Sequence, residues 1–137
     1  EVLISYARSV SRPSLLDTGY AQQVEILEHL QSRGLDPPIL DSREVLKSPR
    51  GVLSKLCERL GIDFLPEMLS WRPGARPEDG VWAPFWYQNV HRSSGFQPYR
   101  TKEQPLPKHL EPLWQQCLPF YRKLSEKAIR GDDSSAW

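Results

Sequence analysis

The chain has 137 residues, about the size of one average domain. Its 39% hydrophobic and 26% charged residues exclude a disordered tail, and a formal net charge of +1 argues against a nucleic-acid binder that works by charge alone. No apolar run approaches the roughly 20 residues needed to span a bilayer, so neither a membrane nor a nucleic acid is an expected partner. Two cysteines are too few for a disulfide scaffold. Cys57 and Cys117 fall at apolar positions of helical patterns, which reads as buried thiols in a reducing, cytoplasmic setting. Thirteen prolines, most of them outside the periodic segments, imply helices joined by rigid loops.

In EVLISYARSV, Val2, Leu3, Tyr6 and Val10 recur at helical spacing. The sequence therefore opens inside or just at the start of an amphipathic helix, and the expectation is that residues upstream of Glu1 are missing and that the chain is the C-terminal part of something larger. Asp17 to Arg33 reads as a second helix, with Tyr20, Val24, Leu27 and Leu30 in one stripe, joined by Ile26, and Gly34 as its left-handed cap. Ile39 to Asp41, after Pro37 and Pro38, reads as a short buried strand. Ser48 and Pro49 open the next helix; Val52, Leu53, Leu56, Cys57 and Leu60 form its apolar face, and Gly61 ends it. Helix, strand, helix is the order of one crossover unit of an α/β sheet. A single strand cannot make a sheet, so its partners are expected outside these residues.

Ser70 to Val81 reads as an ordered loop and Trp82 to Ser93 as a short helix followed by Gly95. Glu103 to Pro107 is a linker. Leu110 to Arg130 is a final helix with Leu113, Trp114, Cys117, Leu118, Tyr121 and Leu124 facing inward, Pro119 inside it, and a polar tail over residues 131–137.

Candidate chemistry is sparse. His29, His91 and His109 have no metal-ligand spacing, and no phosphate loop, GxSxG or HExxH is present. His91, Arg92, Ser93 and Ser94 read either as acid/base or anion-binding groups or, the more favoured reading, as an exposed helix end that complements the dipole. Arg72, Gly74, Arg76 and Gly80 form a glycine-containing loop whose two guanidinium groups suit bidentate phosphate binding; a plain solvated loop fits the same pattern. Trp82, Trp86 and Tyr87 could stack on a base, but core packing is the favoured reading. Ser5, near a helix start, could join free backbone amides around an anion, and alone it is indistinguishable from any helix serine.

The segment ILDSREVLKSPRGVLSKLCERLGIDF resembles the C-terminal half of the sulfotransferase family, where a buried strand leads into a Ser/Asp-Pro helix start and an amphipathic helix ending in Leu-Gly. EVLISYARS resembles that family's 3′-phosphate-binding element. PEDGVWAPFWYQNVHRSSGF looks like a bacterial and plant sulfotransferase-like branch, which in plants resembles a domain of aminotransferase-like proteins.

The resemblance implies an α/β fold: residues 1–130 as the C-terminal half of a three-layer P-loop-like domain, mostly helical here with one or two short strands. It implies sulfuryl transfer from 3′-phosphoadenylyl sulfate (PAPS) to a hydroxyl or amine acceptor, without a metal. Ser5 matches the family's 3′-phosphate serine, and Gly80-Val81-Trp82, with Arg76 upstream, stands where the family has Gly-Asp-Trp. Ser5, Arg76, Gly80 and Trp82 are thus the nucleotide-binding candidates. The catalytic residues belong to the N-terminal half, the expected partner of this chain, and these residues alone are expected to be inactive. The alternative is a non-catalytic P-loop-like module that binds nucleotide or protein, motivated by Val81 in place of the family's Asp.

Overall fold

The computed structural model describes residues 2–101 and 105–131. The linker positions Glu103 and Gln104 and tail residues 132–137 lie outside the described residues. Two compact units emerge, one from Glu1–Asp41 with Arg100–Ala128 and one from Ser42–Tyr99 with Ile129 onward.

The first unit begins with α1 (Val2–Tyr6), which buries Leu3. α2 (Leu15–Thr18) is a single turn with a reciprocal cap: the Asp17 N–H donates to Ser14 Oγ, and the Ser14 N–H donates to Asp17 Oδ2 at 2.8 Å. The helix expected to run from Asp17 is interrupted at Gly19, whose φ of 72° lies in the left-handed region that glycine tolerates. Its N–H donates to the Leu16 carbonyl at 3.3 Å, closing α2, and α3 (Tyr20–Ser32) starts afresh. α3 ends as the sequence reads. Gly34 takes φ 76°, its N–H reaches the Gln31 carbonyl, and the Leu35 N–H reaches the Leu30 carbonyl at 3.1 Å.

Val24 and Leu27 of α3 pack on Leu124 of the closing helix, with Tyr20, Ile39 and Phe120 around them. A second cluster joins Leu3, Leu110, Leu113 and Cys117, flanked by Ala7, Leu15, Tyr20 and Leu106. Ile26 is exposed, so the apolar stripe is narrower than the sequence reading. The expected strand reduces to one parallel pairing, Ile39 with Ala128. Tyr121 donates its hydroxyl proton to Asp41 Oδ2 at 2.6 Å and meets the Tyr20 ring edge-on at 6.2 Å. Burial, and then the nearby Cys117 and Asp41, push the Tyr20 phenol above its ordinary value.

The second unit starts with α4 (Ser42–Lys47), a helix the sequence reading did not anticipate; Glu44 at its centre pairs with Arg43 and Lys47. α5 (Pro49–Leu60) follows with Pro49 in its first turn and Gly61 as left-handed cap, its φ being 66°. Val52 is fully buried and Cys57 is buried, whereas Leu60 is exposed. The chain returns to this helix at residues 129–131. Lys55 Nζ donates to the Arg130 carbonyl at 3.0 Å, and a Cβ at Gly131 would collide with the Ser48 side chain, so only glycine fits there.

Pro66–Leu69 forms a 3-10 turn, and Ser70 pairs antiparallel with Gly95. Trp71 secures this junction: its Nε1–H donates to Ser93 Oγ at 3.1 Å, and its ring meets Phe96 edge-on at 5.4 Å. The helix expected over Trp82 to Ser93 is two single turns, α6 (Ala83–Trp86) and α7 (Gln88–His91).

In the first unit, α8 (Glu111–Ser125) follows a 3-10 turn at Lys108–Leu110 and stops five residues short of the expected Arg130. Pro119 lies inside it. Leu113, Cys117 and Leu124 are buried on it, but Trp114, read as inward-facing, is 39% exposed. Among the described residues the fold is mostly helical, and extended pairing is limited to the two isolated bridges.

Candidate functional site

The candidate residues divide between the units: Ser5 belongs to the first, and Arg76, Gly80 and Trp82 to the second. Ser5 is exposed and is the fourth of the five residues of α1. Its carbonyl accepts the Arg8 N–H at 3.3 Å, so the backbone continues to turn beyond Tyr6.

Arg76 stands just before a 3-10 turn at Pro77–Asp79 and is exposed, as is Arg72. The turn is held by reciprocal hydrogen bonds. The Arg76 N–H donates to Asp79 Oδ2 at 2.8 Å, and the Asp79 N–H donates to the Arg76 carbonyl at 3.2 Å. Gly80 follows with φ 71° and ψ −174°, a backbone region essentially restricted to glycine. This explains a glycine at that position without reference to any ligand.

The apolar residues after Gly80 correct the sequence reading. Trp82 is 66% exposed and Trp86 49%, so neither is a core side chain. Trp82 directly precedes α6, and Phe85 and Trp86 lie three and four residues on, which places all three along one side of a single turn. Ala83 is the buried residue of that turn. Such exposed aromatic faces are available for stacking.

His91 closes α7, and Arg92 and Ser94 beside it are exposed, so the helix-end reading holds except for the exposure of His91 itself. It is partly buried, and its Nε2 lies 2.8 Å from Asp79 Oδ2. A carboxylate only accepts, so Nε2 carries the proton in this pair. The Asp79 carboxyl is held below its ordinary value first by the Arg76 N–H and then by His91. The His91 carbonyl also accepts the Gly74 N–H at 2.7 Å, and its ring meets Tyr87 edge-on. Local spacing gave no sign of the His91–Asp79 pair, because the two residues are 12 positions apart and on different turns.

Both cysteines are buried and unpaired in disulfides. Among the described residues no three His, Cys, Asp or Glu side chains gather to hold a metal, and no helix is long and apolar enough to cross a membrane.

Comparison with known proteins defines the family. The sequence matches the sulfotransferase domain over residues 1–128. The chain belongs to the sulfotransferase-domain family. It is also similar to two Arabidopsis thaliana proteins. Against branched-chain-amino-acid aminotransferase-like protein 1 it is 38% identical over 115 residues, covering 84% of this chain and 21% of that protein. Against branched-chain-amino-acid aminotransferase-like protein 2 it is 39% identical over 111 residues, covering 81% of this chain and 20% of that protein. The sulfotransferase-family chain thus spans about a fifth of the length of these curated relatives. No solved structure matches it.

Proposed function

We propose that this chain contributes the 3′-phosphate side of a PAPS site, for sulfuryl transfer to a hydroxyl or amine acceptor. The family match over residues 1–128 carries the reading. In this proposal the chain is the C-terminal half of a three-layer P-loop-like domain of the bacterial and plant branch, and the reaction also requires the N-terminal half. Support for the branch and the half comes from the likeness of ILDSREVLKSPRGVLSKLCERLGIDF and PEDGVWAPFWYQNVHRSSGF to the family's later elements.

Each proposed residue, taken within its own unit, is of a type that suits the group. A phosphate with close to two negative charges needs several donors, because burying it unpaired is costly. The exposed Arg76 guanidinium supplies a bidentate fork, and the exposed Ser5 hydroxyl supplies a further donor. Gly80 sets the backbone direction after the Arg76 turn, and the exposed Trp82 ring offers a flat apolar face to a base. The bound donor supplies the sulfuryl group; these residues bind and orient its nucleotide end.

The test uses the full-length protein and 3′-phosphoadenosine 5′-phosphate as ligand, measured by calorimetry. Ser5→Ala is expected to weaken binding by about 1.5–3 kcal/mol, the scale of a hydrogen bond to a charged group. Arg76→Ala is expected to weaken it at least as much. Wild-type affinity in both variants contradicts the assignment and returns Arg76 to the status of a surface residue.

A further inference from the structure

We propose that His91 is a positioning residue that clamps the Gly74–Gly80 loop and so fixes where Arg76 presents its guanidinium; the role in binding rests on the reading of Arg76 given above. The loop has few apolar anchors, since Arg72 through Glu78 are exposed throughout. What holds it is His91, at two places. Near the loop's start, the Gly74 N–H donates to the His91 carbonyl at 2.7 Å. Near its end, His91 Nε2–H donates to Asp79 Oδ2 at 2.8 Å. The same oxygen of Asp79 accepts the Arg76 N–H at 2.8 Å. A continuous chain of hydrogen bonds therefore runs from the imidazole through one carboxylate oxygen to the backbone of Arg76.

His91 itself is well placed to serve as the fixed end. It closes α7, its N–H donates to the Tyr87 carbonyl at 2.8 Å, and its ring rests edge-on against Tyr87 at 6.2 Å. Two residues later, Ser93 is joined to the Trp71 indole. Arginine placement matters because a bidentate fork recognises phosphate only when its plane is aligned, and a mobile loop loses binding energy to the entropy of ordering.

The test compares His91→Leu, His91→Gln and Asp79→Ala with the unaltered full-length protein. Two readouts are taken: hydrogen exchange of residues 74–80, and affinity for 3′-phosphoadenosine 5′-phosphate and for adenosine 5′-monophosphate. His91→Leu and Asp79→Ala are expected to speed exchange in the loop. His91→Leu is expected to weaken binding of the 3′-phosphorylated ligand about tenfold, with less than about a twofold change for the other. His91→Gln, whose Nε2–H can replace the imidazole donor, is expected to restore both slow exchange and affinity, which a loss of general packing would not allow. Unchanged loop exchange in His91→Leu overturns the clamp whatever the ligand does. An equal loss for both nucleotides overturns the link to Arg76. Failure of the unaltered protein to bind the 3′-phosphorylated ligand overturns the site reading instead, and leaves the exchange result to decide the clamp.

Discussion

Helices α3 and α8 bury apolar side chains against each other, whereas residues 81–90 hold a denser set of large apolar side chains and leave most of them exposed. Val24, Leu27 and Leu124 are each under a tenth exposed, while Val81, Trp82, Phe85 and Val90 are all more than half exposed. The difference lies in repeat length. α3 and α8 run 13 and 15 residues, long enough for a recurring stripe to meet a partner over several turns. α6 and α7 are single turns of four residues each, so no stripe can develop. That segment is held instead by polar ties: the Gly74–His91 and Trp71–Ser94 backbone bonds, the Trp71–Ser93 side-chain bond and the His91–Asp79 pair. Side-chain packing orders the first region, and hydrogen bonding at fixed points orders the second.

Substitutions should separate the two regimes. Leu27→Ala, at a position 3% exposed, is expected to lower unfolding free energy by about 2–5 kcal/mol, read from denaturant titration. Gly80→Ala should come next, at about 1–3 kcal/mol, because alanine must enter a backbone region that only glycine occupies comfortably. A loss below roughly 0.5 kcal/mol there would show that the turn relaxes and that backbone geometry does not order the region. Trp82→Ala should cost no more than about 0.5 kcal/mol despite removing the largest side chain of the series. A loss of about 3 kcal/mol would place Trp82 in a core and erase the contrast between the regions.

Much of the longer helices was legible, in both units, because their information is local and periodic. The burial of Val24 and Leu27 on α3 and of Val52 and Cys57 on α5, the Gly34 and Gly61 caps, the Pro49 helix start and the burial of Cys117 all follow from short-range patterns, whereas Ile26 and Leu60, expected in the same stripes, are exposed. Gly19 does not announce a break in the sequence because it lies within the first turn of the Asp17–Arg33 pattern; its positive φ decides otherwise. α4 escaped notice because SREVLK, at six residues, is too short for a face to repeat. The candidate site divides in the same way. Arg76 and Gly80 stand out by residue type, but the exposure of Trp82 and Trp86 contradicts the expectation that large aromatics seek a core. The His91–Asp79 pair depends on tertiary turns that bring distant positions together, which no local pattern encodes.

The smallest effect tests the polar ties. Asp79 has a lowered folded-state pKa, so its contribution is present above its ordinary value of 3.8 and is lost as pH falls through the lowered value. Carboxyl chemical shifts followed by NMR should place its midpoint below 3.8, and His91→Leu should move it upward. The main lowering cause, the Arg76 N–H, remains in that variant, so the return should be partial. A midpoint unmoved by His91→Leu would remove the imidazole from the account of the loop.

Most direct for the functional reading is the ratio of two affinities in the unaltered full-length protein, for 3′-phosphoadenosine 5′-phosphate and for adenosine 5′-monophosphate at the same ionic strength. The two ligands differ only by the 3′-phosphate that Ser5 and Arg76 are proposed to hold. Two charge-assisted contacts predict a preference on the order of 100-fold or more for the 3′-phosphorylated ligand. Equal affinity for the two would contradict the central claim, because a chain that forms the 3′-phosphate side of the site must distinguish them.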